Sequence, residues 1–175
     1  MAELEIHHEG EGTLDRRGQQ VGLLAAVIAV ALGVVTIASH REHTAGVLLK
    51  AEANDRWSFY QSKRIKFHSL ELGADLLGVL APKDDATRRK LETYRTEQER
   101  YDRESKEVSE EAKKKESEAT LAERRALRFD FGEGLLEIAV VLTSLYFISK
   151  KTLFPGIGIV AGLLGVLASV SAWML

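Results

Sequence analysis

The sequence has 175 residues with no cysteine, two prolines, and 24 basic against 26 acidic side chains, a net charge of −2. The lack of cysteine excludes disulfide frameworks, thiolate metal sites and cysteine nucleophiles, and the lack of basic excess argues against nucleic acid as a partner. Charged and apolar residues are segregated: no Asp, Glu, Lys or Arg lies between Arg17 and Arg41 or after Lys151, while residues 84–128 hold 13 acids and 13 bases. That segregation predicts an all-α membrane protein with three transmembrane helices and a long antiparallel, coiled-coil-like helical hairpin between spans one and two.

Residues 1–19 read as an acidic tail that carries His7 and His8. The first span covers 20–39; its uncharged run from Val21 to Ser39 reaches roughly 30 Å as a helix, the thickness of a hydrocarbon core. Five acids against two arginines precede it, and no A-x-A pattern follows. An uncleaved anchor therefore fits better than a signal peptide.

The first hairpin arm is 40–81, the turn 82–85 and the second arm 86–130. Pro82 cannot continue a helix, and Asp84 or Asp85 can cap the next one. Before the break Leu49, Ala53, Tyr60, Phe67, Leu70, Ala74 and Leu77 recur at spacings of three, four and seven. After it Leu91, Tyr94, Tyr101, Val108, Ala112, Ala119, Ala122 and Ala126 keep a heptad register, with Gln98, Ser105 and Lys115 interrupting. Arms of similar length point to a hairpin on the order of 60 Å tall, standing on the membrane. The seam is thin in large apolar residues, so the hairpin needs neighbours to be stable. The alternating charges of the second arm read as a solvated helical face with i,i+4 pairs.

The second span, 131–149, contains Glu133 and Glu137, and the third, 153–175, is free of charge and ends near an interfacial Trp173. Between them Lys150 and Lys151 suit a lipid headgroup, and Pro155 suits a helix start.

The stretch Asn54-Asp55-Arg56-Trp57 followed by Tyr60-Gln61 and Lys63 is the most distinctive in the chain, and Arg128-Phe129-Asp130 leads into the closing spans. With the acidic, His-containing tail and the order of spans, these features resemble an uncharacterised family of small bacterial membrane proteins catalogued as a domain of unknown function. The resemblance covers nearly the whole chain. It implies bacterial membrane placement and brings no reaction, ligand or catalytic residue.

Arg56, Trp57, Tyr60, Gln61, Lys63 and Arg64 crowd aromatic, cationic and amide groups into less than three turns. They can contact an anionic lipid headgroup, a glycan or a partner chain; the plainer reading is that they knit the hairpin arms or neighbouring subunits together. Glu133 and Glu137 share a helix face, and Glu137 lies about 9 Å inside its span. A carboxylate at that depth costs on the order of 1–3 kcal/mol unless it is partnered, protonated or wet. His40, Arg41 and His43 leave span one at the same expected membrane surface. The five residues form a candidate polar mouth, read as a proton or cation site, or as a structural ion pair of Glu137 with Arg41 or with Arg128 of a neighbouring subunit. No metal site and no cofactor is expected, and the sequence names no small-molecule ligand.

Small residues form two stripes: Gly22, Ala26, Ala29, Gly33 and Thr36 in span one, and Gly158, Gly162, Gly165, Ser169 and Ala172 in span three. In lipid such stripes let helix backbones approach closely, either within the chain or between copies, and a homo-oligomer is the expectation. Arg16 and Arg17 before span one and Lys150 and Lys151 between spans two and three fall on one side. That places the N-terminus inside a bacterial cytoplasmic (inner) membrane and the hairpin outside.

No P-loop, Ser–His–Asp set, HExxH or paired catalytic carboxylates on a soluble domain occurs, so no enzyme is expected. The residues favour a structural or scaffolding membrane protein. An oligomeric channel or ion pathway with a polar mouth at the base of the hairpin is the alternative.

Overall fold

The computed structural model describes residues 15–175, so most of the acidic tail, with His7 and His8, lies outside the described residues. Within them the chain forms three helices, α1 (Arg16–Leu80), α2 (Asp85–Ser149) and α3 (Leu153–Ala172), and no strand. Each contains a stretch long and apolar enough to cross a membrane.

The breaks follow local chemistry. α1 stops two residues before Pro82, whose ring and missing N–H forbid a further turn. Asp84 then caps α2, its Oδ1 accepting the Thr87 N–H at 2.8 Å. That amide holds the Asp84 carboxyl below its ordinary 3.8. α2 ends at Ser149, and Lys150 turns the chain with a left-handed φ of 58° while its N–H reaches Tyr146 O at 2.8 Å. Glycine normally fills such a position. Pro155 sits in the first turn of α3, where no intrahelical partner for an N–H is needed.

The described chain divides into two compact units. The first joins the segment up to His40 to Arg125–Leu175. Its core contains Ile28, Val35, Phe129, Leu136, Ala139 and Ala172. α3 buries Pro155, Gly158, Gly162, Gly165, Ser169 and Ala172, and its backbone runs hard against α2. A Cβ on Gly158 would lie 2.5 Å from Thr143 Oγ1 and 3.0 Å from Ala139 O, and one on Gly165 would lie 2.8 Å from Gly132 O. Only glycine permits that approach, and the close contact is what holds helices together where water supplies no drive.

The second unit is Arg41–Arg124. Here α1 cations and acids meet α2 partners whose numbers fall as the α1 numbers rise: Glu52 with Lys115 at 2.8 Å, Arg56 with Glu111 at 3.1 Å, Lys63 with Glu104 at 2.5 Å and Arg64 with Asp102 at 3.4 Å. Lys50 pairs with Glu123. Leu49, Tyr60, Phe67, Leu70, Ala74 and Leu77 are half-buried and Ala53 is buried, facing a series in α2 that includes Ala112, Ala119 and Ala122, all buried. The larger apolar side chains are thus only partly covered, and the fully buried positions are largely alanine. Ser105 joins them, its hydroxyl donating to Asp102 O of its own helix at 2.8 Å, which is how a polar residue sits there without an unmet bond.

Candidate functional site

In the first unit two hydroxyls meet two carboxylates. Thr36 Oγ1 donates to Glu133 Oε1 at 2.7 Å, and Ser39 Oγ donates to Asp130 Oδ1 at 2.5 Å. Ser39 is buried, and Glu133 and Asp130 are half-buried. Hydroxyl donation is one way for a carboxylate to stand at the end of an apolar segment, since it replaces part of the lost hydration.

The Arg128-Phe129-Asp130 triplet ties three elements of this unit. Arg128 Nη1 donates to Ser171 O at 2.8 Å, satisfying a carbonyl at the end of α3. Phe129 is buried and meets Trp173 edge to face, with ring centroids 6.2 Å apart. Asp130 takes the Ser39 hydroxyl. Within the chain the Arg128 guanidinium goes to the Ser171 backbone carbonyl, and Glu137 is exposed beside exposed Ile138 and Val141.

The five residues of the expected mouth divide between the units. His40, Glu133 and Glu137 belong to the first, and Arg41 and His43 to the second; His40, Arg41 and His43 are all exposed. Sequence reasoning missed the Ser39–Asp130 bond and the partner of Thr36. A signal was available: Thr36 and Ser39 are three apart at the end of one apolar run, and Asp130 and Glu133 are three apart at the start of another. Equal spacing on two facing helices is what a two-rung ladder requires.

The small-residue stripes fare differently. Gly158, Gly162 and Gly165 are buried within the unit. Gly22 is half-buried against Phe147, while Ala26, Ala29 and Gly33 are exposed, and a Cβ on Gly33 would meet nothing within 4 Å.

In the second unit the aromatic and cationic cluster is engaged with α2. Arg56, Lys63 and Arg64 pair with Glu111, Glu104 and Asp102, and Trp57 lies edge to face with Tyr60 at 5.5 Å. Gln61 is exposed. Lys63, Lys66 and Arg100 surround the half-buried Tyr101 ring at 5.5, 5.6 and 4.8 Å. The Lys63 ammonium holds the Glu104 carboxyl below its ordinary 4.5, with Arg100 and Lys66 adding to the effect. Lys106, and then Arg64, lower Asp102 in the same way. The Glu52 carboxylate raises Lys115 above its ordinary 10.5. Among the described residues no group of three or more His, Asp and Glu side chains is arranged to hold a metal ion.

A family model described as "Domain of unknown function (DUF4337)" matches residues 17–175. No curated protein and no solved structure matches the chain.

Proposed function

We propose that this chain, which belongs to the DUF4337 family, is a membrane-anchored, self-associating helical protein with a structural or scaffolding role and no catalytic activity. One observation carries the reading: the span-three stripe is spent inside the chain, whereas Ala26, Ala29 and Gly33 of α1 stand exposed in a segment apolar enough to lie in lipid. A small-residue face open to lipid is suited to a second helix backbone. The falling order of the α1–α2 ion pairs further supports an antiparallel, coiled-coil-like hairpin between spans one and two.

Native mass spectrometry in a mild detergent tests self-association. We expect one discrete oligomer, reduced or lost in Gly33→Leu. A monomer at every concentration would overturn the reading. On the proposed placement, a bacterial inner membrane with the N-terminus inside, Ser117→Cys reacts with an impermeant thiol reagent in intact spheroplasts; reaction only after lysis reverses the orientation.

Glu137 favours a second reading, an oligomeric ion or proton pathway. A carboxylate exposed within an apolar segment faces protein, water or a costly lipid environment. If copies line a path with it, Glu137→Gln changes proton or cation flux in liposomes, and unchanged flux removes the pathway.

A further inference from the structure

In the second unit the fully buried residues are small, while several large apolar side chains of α1 stand out from it. Its shielded positions include Ala53, Ala112, Ala119 and Ala122, at 4%, 0%, 1% and 5% exposure, while Ile65, Leu72, Leu76, Val79 and Leu80 of α1 are 66%, 60%, 50%, 82% and 76% exposed. Val47, Leu48 and Phe59 are exposed earlier in α1, but from Ile65 onward the exposed set is not scattered. Ile65, Leu72 and Val79 recur every seven residues, and Leu76 stands four after Leu72, with Ser62 and Ser69 at the corresponding earlier positions. Taking Leu76 as position a of a heptad puts Ile65, Leu72 and Val79 at d. This is a second seam, on residues other than those shielded against α2.

We propose that this outward seam is where α1 of one copy pairs in parallel with α1 of another. The proposal rests on the self-association reading above and names the surface through which it extends beyond the apolar spans. Two arguments single out a second copy as the occupant. Five side chains at roughly 100 Å² each present on the order of 500 Å² of apolar surface, a scale at which a patch is often functional and more than half of the roughly 800 Å² that each partner buries in a standard interface.

Flanking charge is the second argument. In a parallel, in-register pair the g and e positions that meet are Gln61 with Lys66, His68 with Gly73, and Asp75 with Leu80. None sets like charges together, so the seam is compatible with itself. Copies anchored in one bilayer also share one orientation, which a parallel pair requires.

The sequence has no cysteine, so single cysteines report the contact without background. In native membranes holding the full chain, mild oxidation of Leu76→Cys is expected to yield several-fold more disulfide-linked dimer than Glu99→Cys, an exposed position on α2. The double substitution Leu72→Glu with Leu76→Glu, at exposed positions where folding is spared, should shift the native mass spectrum toward smaller species. If the parent is an oligomer but Leu76→Cys crosslinks no better than Glu99→Cys, or crosslinks to other proteins instead, the seam is not the contact and the self-association reading stands. A monomeric parent removes both.

Discussion

Thr36 donates to Glu133 across 2.7 Å, and one turn along α1 Ser39 repeats the arrangement with Asp130. The two bonds join the first apolar segment of the chain to the start of the second at matching intervals. Thr36→Val keeps shape and removes the donor, leaving a half-buried carboxylate short of one partner. It should lower stability in mixed micelles by roughly 0.5–1.5 kcal/mol, while Thr36→Ser keeps most of it. Equal stability of the valine variant would sink the idea that the bond contributes.

Gly158 and Gly156 lie half a turn apart on α3 and should respond in opposite ways. A Cβ at Gly158 runs into Thr143 and Ala139, whereas one at Gly156 meets nothing within 4 Å. Gly158→Ala should destabilise the first unit by about 1–3 kcal/mol through overpacking, and Gly156→Ala should leave it unchanged or slightly improved. Thermal unfolding in detergent distinguishes the pair, and similar midpoints for both variants would contradict the close α2–α3 contact.

In the second unit a Cβ built on Gly46 would stand 3.8 Å from Ala122 Cβ, the mean separation in disulfides. Gly46→Cys with Ala122→Cys should therefore close an intrachain bridge on mild oxidation, seen as a mobility shift that reductant reverses. Failure to form it, or only interchain product, would show that α1 and α2 do not meet in this register.

The acids of the second unit predict an acid-sensitive pairing. Asp84, Asp102 and Glu104 ionise more readily folded than unfolded. Their contribution is complete above the ordinary values of 3.8 for Asp and 4.5 for Glu and is lost as pH falls through the lower folded values. Lys113 and Lys115 are raised, so theirs is complete below 10.5 and fades as pH rises beyond it. Helicity and thermal midpoint should decline at both extremes, and Glu104→Gln should flatten the acid limb. A midpoint constant down to about pH 2 would defeat this account.

Much of this architecture is legible in the sequence because its causes are local. Apolar runs mark the stretches long enough to cross a membrane, Pro82 and Asp84 mark the break, and three-four-seven spacing picks out positions such as Ala53, Phe67 and Ala119 that the structure buries or half-buries. The site is less legible because its partners are distant. A stripe of small residues says that a backbone can come near, not which one, so the stripes at Gly33 and Gly158 look alike in sequence although one is open and the other buried. Hydroxyls hide similarly: Thr36 reads as a small residue and Ser105 as an interruption until the atoms they bond are known.

Lys150 gives up backbone ease for charge. Its left-handed φ is one that glycine adopts freely and that costs a side-chain-bearing residue roughly 1–2 kcal/mol. The ammonium lies 5.8 Å from the Tyr146 ring, beside Lys151 in a turn bounded by apolar helices. Glycine here would relax the main chain and erase one of the four cations that the proposed orientation relies on. On the proposed orientation the bend doubles as an address label, telling the insertion machinery which side of the membrane keeps this end, and the strained backbone is what the label costs.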